Sequence, residues 1–389
     1  MIAFKLALKN LIGAGLRTWL NVAVLSFAFV LMVFYYGMMD GWNRQGKKDT
    51  KDWEIGQGQY WHPDYDKYDP YTIQDAHLPL TPEIKKQIKE GELTPVLLTQ
   101  ATIYPQGRMQ SALLRGVDPD QKILKIPTSH LKDTQNGYSA IIRKRMAENT
   151  RLKVGDQVLI RWRDKNGMFD AIDMHLTAIF KCDVPSIDNG QMYISLDVLQ
   201  HMTNMKDEAS ILVAGENSDL KPIENWVFKD TDFLLAEFDA LIQSKKAGGT
   251  ILQGVLLIIA LLAIFDTQVL SIFRRQKEIG TYIALGMTRK QVVGIFTVEG
   301  GAHSILAILV GAVYGIPLFI WLNTIGLSFG GSNADMGITI AEKIYPYYSL
   351  GLIVTTLIIV VISATIVSYL PARKISKMKP TDALKGKLQ

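Results

Sequence analysis

A single cysteine, Cys182, occurs in 389 residues. That excludes an intrachain disulfide and any metal site built from several thiolates. None of the 6 histidines stands in an H-E-x-x-H arrangement, and no G-x-S-x-G occurs, so no catalytic residue is expected. His130, His175 and His201 stand alone in the sequence. Residues 41–48, "GWNRQGKK", approach a phosphate-binding loop. They lack the Ser or Thr after the lysine that would hold magnesium, and they follow a long apolar run where a strand should stand. His62, Asp64, Asp66 and Asp69 lack the glycine and bidentate glutamate of a calcium loop. They read as a solvated acidic turn. No ATP site, metal, cofactor or enzymatic activity is expected of the chain itself.

Charge is missing too, in four stretches. Thr18–Met39 and Tyr347–Leu370 have none; Ala247–Ile272 has only Asp266, and Val292–Leu322 only Glu299. Each run is long enough to cross a hydrocarbon core of ~30 Å. The reading is an α-helical membrane protein with four transmembrane helices, at 18–39, 247–272, 291–322 and 347–370. The first is read as a signal anchor: its apolar run exceeds the ~7–15 residues of a signal-peptide core, and no small-x-small cleavage site follows.

Lysine and arginine set the orientation. Lys5, Lys9 and Arg17 precede span one, and Arg274, Arg275, Lys277, Arg289 and Lys290 join spans two and three. Arg373, Lys374, Lys377, Lys379, Lys385 and Lys387 follow span four, while the join of spans three and four (323–346) carries only Lys343. Positive loops stay in the cytoplasm, so both termini and the segment 273–290 are placed inside and residues 40–246 outside. Residues 1–17 read as an amphipathic helix along the inner leaflet, with Phe4, Leu8, Leu11 and Ile12 on its apolar stripe. Residues 371–389 form a basic tail.

The 40–246 region reads as an α+β domain, large enough to stand on its own core. Thr81 caps a helix with Pro82 in its first turn and Gly91 past its end. Two strands flank Pro105-Gln106-Gly107 as a hairpin. Residues 137–162 read as helix, turn and strand, and 175–182 and 191–196 as short strands. Residues 225–243 read as a helix returning to the membrane. The aromatic, acidic stretch 60–72, "YWHPDYDKYDPYT", is broken by proline.

Polar residues inside the spans are costly and therefore informative. Asp266 lies eight residues before Arg274, about 12 Å along a helix, near the inner interface, and is expected to pair helices. Glu299 lies deeper, with His303 one turn on and facing the same way. An interhelical pair is expected there, with a proton relay as the other reading. Gly311 and Gly315 form a small-x-x-x-small face for close helix approach, a candidate dimer face. Tyr35, Tyr36, Trp42, Trp321, Tyr345, Tyr347 and Tyr348 would form an outer aromatic belt.

The join "RRQKEIGTYIALGMTRKQ", 274–291, holds more signals than a turn needs. Thr288 and Gln291 spell a capping box, with Met287 and Val292 as its hydrophobic staple. Arg289 and Lys290 then sit in the first helical turn, against the preference of the dipole. Gly280 and Gly286 bracket Thr281–Leu285, which predicts a short helix between two glycine breaks that exposes Tyr282. A firmly held short helix between spans is suited to passing force.

"RRQKEIGTYIALGMTRKQVVGIFTVEG" resembles the signature of FtsX-like (MacB/LolE-type) ABC permeases, through Arg274, Glu278, Ile279, Gly280, Ala284, Leu285, Gly286, Glu299 and Gly300. The ending "YLPARKISKMKPTDALK" and the opening "ALKNLIGAGLRTWLNV" resemble that family's, and "LLRGVDP" and "RLKVGDQVLI" resemble the MacB-type periplasmic domain. The resemblance implies four spans with a MacB-like α+β periplasmic domain, in a bacterial inner membrane. It implies a separate cytoplasmic ABC ATPase that binds ATP and magnesium and docks on the short helix, where Arg274, Arg275 and Tyr282 join the matching residues. It further implies a second permease copy or paralogue and motion passed to the outer side by mechanotransmission. The cargo expected is a lipoprotein released from membrane lipid. A peptide, antibiotic or small molecule, as in MacB-like efflux, is the alternative, as is an FtsX-like scaffold that activates cell-wall hydrolases. A proton carrier using Asp266 and Glu299 fits four spans and this signature poorly. No nucleic-acid partner is expected.

Overall fold

A computed structural model describes residues 16–132, 137–182, 190–328 and 343–377. The expected N-terminal amphipathic helix and most of the basic tail lie outside the described residues. The chain divides into a helical unit (Met1–Trp42, Leu241–Leu327 and Ile344–Gln389) and an α+β unit (Asn43–Ala240 and Ser328–Lys343).

Among the described residues, four helices are long and apolar enough to cross a membrane. They are α1 (Leu16–Thr50), α5 (Thr231–Arg274), α7 (Arg289–Ile325) and α8 (Leu350–Ala372). Helices in lipid associate through close packing and a few hydrogen bonds, since lipid is as apolar as leucine. Here Val22, Leu25, Phe29 and Val33 of α1 pack with Ala260 and Ile264 of α5, Ala307 of α7, and Val360 and Ala364 of α8. Asn21 Nδ2 donates to Thr267 Oγ1 at 2.6 Å, and Ser26 Oγ lies 3.2 Å from Tyr314 OH.

Two helices outrun the expected spans. α1 continues from Met39 to Thr50 because nothing in "DGWNRQGKKDT" caps or breaks it. The near phosphate-loop of residues 41–48 is therefore helix, not loop. Gly46 lets the Phe238 ring lie against the helix backbone, where a side chain would overlap it. α5 runs unbroken for 44 residues, about 66 Å at 1.5 Å per residue. The helix expected over 225–243 opens instead as a strand, Val227–Asp230. Gly248 and Gly249 do not interrupt α5, and the ring of Tyr35 occupies the space where a Gly249 side chain would stand.

The α+β unit is organised by strands β1 (Gly58–Trp61), β2 (Leu78–Pro79), β3 (Leu93–Ile103), β4 (Gln110–Val117), β5 (Tyr138–Arg143), β6 (Gln157–Arg163), β7 (Phe169–Phe180), β8 (Gln191–Ser195), β9 (Glu208–Ala209), β10 (Ile211–Ala214) and β11 (Val227–Asp230). The main sheet runs β11-β1-β10-β3-β4-β8-β5-β7-β6, and β6 pairs back onto β3. Six strands thus close into a barrel, and β10, β1 and β11 extend from it. Strand β6 shows the alternation this requires: Val158, Ile160 and Trp162 point in, Gln157, Leu159, Arg161 and Arg163 out. Leu97, Ile103, Leu114, Ile142 and Ile194 complete the barrel core.

Local signals read from the sequence are present. Thr81 caps α2 (Pro82–Lys89), its Oγ1 accepting from Ile84 N, and Gly91 (φ +77°) follows in the left-handed conformation. The hairpin of β3 and β4 turns through Gln106 (φ +51°) and Gly107 (φ +76°). Residues 138–143 depart from expectation. They are strand β5, paired parallel to β7 and antiparallel to β8, and helix α3 begins only at Lys144. Partners distant in sequence override the local helical pattern. A further helix, α4 (Leu196–Thr203), covers the barrel. In the acidic stretch, Asp66 and Asp69 accept from the backbone amides of Tyr68 and Tyr71, both at 2.9 Å, so these carboxylates serve as turn caps.

Candidate functional site

α5 ends at Arg274, and Arg275 turns the chain with φ −100° and ψ 20° into α6 (Gln276–Ala284). The break is therefore at Arg275 and not at Gly280, which lies buried inside α6. Arg275 accounts for the turn. Its Nε donates to Glu278 Oε2 at 2.7 Å, and its Nη1 reaches both carboxylate oxygens of Glu299, at 3.0 and 2.9 Å. The guanidinium lies 4.9 Å from the centre of the Phe296 ring. Burial opposes the Arg275 charge, yet Glu278 and Glu299 hold its pKa above the ordinary value.

One charge thus clamps three elements: the end of α5, the first turn of α6, and the interior of α7. Beneath it lies a small apolar core of Ile272, Ile279, Val292, Phe296, Ala372 and Ile375. Gly280 is buried, and Tyr282 packs along the edge of this core, half-buried where exposure was expected. The opposite side of α6 is open: Arg274, Lys277, Glu278, Thr281 and Ala284 are exposed, and Leu285 is 79% exposed.

After Gly286, in the left-handed region at φ +94°, α7 begins with the expected capping box. Thr288 N donates to Gln291 Oε1 at 2.8 Å, and Gln291 N to Thr288 Oγ1 at 3.3 Å. Replacing Thr288 by Ala is expected to cost about 1 kcal/mol of local stability. Amide exchange at 289–292 would quicken about fivefold, the factor that 1 kcal/mol represents, while exchange in β6 stays unchanged.

Deeper in α7, Glu299 and His303 are both buried, and His303 Nδ1 lies 3.0 Å from the Glu299 carbonyl oxygen. The expected pairing of Glu299 is present, with Arg275 as the partner. Gly300 brings α8 close: a side chain there would overlap Cβ and Oγ of Ser368. Gln268 of α5 is 1% exposed beside the same contact, and its Oε1 finds no hydrogen-bond partner among the described residues.

One expectation is corrected and one is located. Asp266 is exposed on α5, on another side from buried Gln268, and has no ion pair among the described residues. Among the described residues it joins no helices. Gly311 and Gly315 face span one of the same chain. Cβ atoms there would stand 3.2 and 3.1 Å from Val30 Cγ2, so the close helix approach expected of this small-residue face is made to span one. Gln268 and Ser368 were not singled out in the sequence. An amide within an otherwise apolar run was the available signal for the first.

Residues 250–380 match the family model described as FtsX-like permease C-terminal. The chain is 25% identical over 268 residues to the uncharacterized ABC transporter permease MJ1507 of Methanocaldococcus jannaschii, covering 64% of this chain and 62% of that one. It is 27% identical over 161 residues to the macrolide export ATP-binding/permease protein MacB of Burkholderia lata, covering 39% of this chain and 21% of that one. The chain thus spans less than two thirds of the length of these relatives. Among solved structures, the extracellular domain of the noncanonic ABC-type transporter YknZ from Gram-positive bacteria matches at 13% identity with a TM-score of 0.25, covering 42% of this chain and 84% of that one.

Proposed function

We propose that this chain, an ABC transporter permease of the FtsX and MacB type, is the membrane subunit of a force-transmitting machine whose ATPase is a separate polypeptide. The observation that carries this reading is the clamped helix α6. A lever must be fixed to the body it moves and bare where it is pushed. Arg275 fixes α6 to α5 and α7, and Leu285 stands bare at its end. The ATPase docks on Arg274, Glu278, Ala284 and Leu285 from the cytoplasm. Its closure rotates α6, and spans two and three move with it. The α+β unit lies on the far side of the cytoplasmic membrane, where a second permease copy or paralogue completes the machine. The work done there is release of a lipoprotein from the membrane.

A second reading is export of a small molecule or peptide, supported by relatives named for macrolide export. A scaffold that moves to activate a cell-wall hydrolase is the third reading, and it uses the same lever. The lever is tested with the chain co-purified with its ATPase. Leu285→Asp changes an exposed side chain and should leave insertion intact. It should reduce ATPase recovery and permease-stimulated hydrolysis at least as far as Glu278→Arg or Ala284→Pro. Unchanged recovery and stimulation in all three would remove α6 as the docking element.

A further inference from the structure

The α+β unit carries a cleft that the lever does not use. Strand β3 pairs with β10 through Leu93–Val96 and with β6 through Ala101–Ile103, so its edge changes partner along its length. Beside this change an open cleft of about 280 Å³ forms on the outside of the barrel, bordered by Gln100 and Thr102 of β3, Arg161 and Arg163 of β6, Phe169 of β7 and the Tyr71 loop. That volume approaches the lower end of small-ligand sites.

The charge of its lining is one-sided. Among the described residues, two arginines line it and no carboxylate does. Arg163 is engaged, its Nε donating to Gly167 O at 3.1 Å and its Nη1 to Gln74 Oε1 at 3.5 Å. Arg161 has no hydrogen bond or ion pair among the described residues; its guanidinium lies 4.5 Å from the centre of the Phe169 ring. A guanidinium held on a ring keeps its planar fork presented outward, and that fork matches a carboxylate.

The aromatic side chains complete the chemistry. Phe169 is 64% exposed and Tyr71 is 89% exposed, both on this one cleft. Scattered exposed rings need no explanation, but two converging on an unpaired guanidinium mark a contact surface. We propose that this cleft binds an organic carboxylate, whose apolar part lies on Phe169 and Tyr71 while Arg161 takes the carboxylate. Arg161 presents the open fork, and Arg163, held by neutral acceptors, adds a second positive charge beside it. The same chemistry comes from two sources, a free aromatic acid or an acidic residue beside an aromatic one in a peptide. The site lies wholly within the α+β unit, so it stands or falls independently of the lever.

The test uses the full chain in lipid nanodiscs and fluorinated 3-phenylpropionate, followed by fluorine NMR line broadening. Saturable broadening is expected, weakened by about tenfold or more in Arg161→Gln, the loss of one hydrogen bond to a charged group. Phe169→Ala should weaken it as well, and Arg161→Lys should weaken it less than Arg161→Gln. The matching fluorinated phenylpropylamine should not saturate. Displacement by N-acetyl-Glu-Phe-amide at lower concentration than by unlabelled phenylpropionate identifies a peptide as the source, and the reverse order identifies a free acid. No saturation, equal binding of the amine, or equal affinity in Arg161→Gln overturns the proposal. Because Arg161 and Phe169 are exposed, loss of the fold does not mimic loss of the site.

Discussion

Arg275→Met is expected to produce the largest loss of stability of any single substitution in the helical unit. The Arg275 and Glu299 side chains are 19% and 9% exposed, and the guanidinium holds both oxygens of that carboxylate. Removing one partner of a buried pair leaves the other without its counter-charge, at a cost of about 3–5 kcal/mol. Here Glu278 loses its ion pair as well. The thermal midpoint of the detergent-solubilised chain should fall, and amide exchange across 276–284 should quicken. The double variant Arg275→Met/Glu299→Leu separates the pair from the fold. Replacing a buried pair by apolar side chains is often neutral or stabilising, so its midpoint should recover. Stimulation of the ATPase should stay low, because α6 has lost its attachment. A single variant as stable as the parent would show that the pair does not hold this corner together.

The second large effect is expected at Gly300. A methyl group there overlaps both Cβ and Oγ of Ser368, and the amide nitrogen of Gln268 lies 3.1 Å away. Ser368 Oγ is engaged with its own helix, donating to Ala364 O at 2.7 Å. Helix α8 must therefore shift bodily, and overpacking of this kind costs about 1–3 kcal/mol. Gly300→Val should cost more than Gly300→Ala. Ser368→Gly removes both overlapped atoms, so in the Gly300→Ala background it should restore most of the loss. That is a coupling of about 1 kcal/mol or more, within the range for residues in contact. Additive losses in the cycle would show that the two helices do not meet at this point.

Both predictions rest on contacts between residues far apart in the chain, and such contacts divide what was legible from what was not. The capping box at Thr288 and Gln291 was readable because donor and acceptor are three residues apart on one turn. The N-cap at Thr81 and the hairpin at Gln106-Gly107 were readable for the same reason. Glu299 was singled out as a carboxylate among apolar residues, but its partner lies 24 positions away. Nothing local distinguishes Arg275 from Arg274, which is exposed. Glycine weakens helices, so Gly280 reads as a break when only its neighbours in sequence are considered. Ile279 packs with Val292 and Phe296 of α7, and that packing outweighs the propensity. Strand β5 was read as helix because its two partners, β7 and β8, come later in the chain.

Taken alone, the amino-acid sequence determined the four apolar helices, the turn chemistry between them and the α+β character of the remaining unit. Each follows from interactions within a turn or from the cost of placing charge in hydrocarbon, and both act on neighbouring residues. Only the tertiary structure decided how far α1 and α5 run, which glycines are pressed by a neighbouring helix, and where Arg275 finds its carboxylates. It also decided the closure of six strands through β3 and β6, and with it the cleft that brings Arg161, Phe169 and Tyr71 together. In each case the energy comes from groups that meet only once the chain has folded. Their spacing along the sequence carries no record of the meeting.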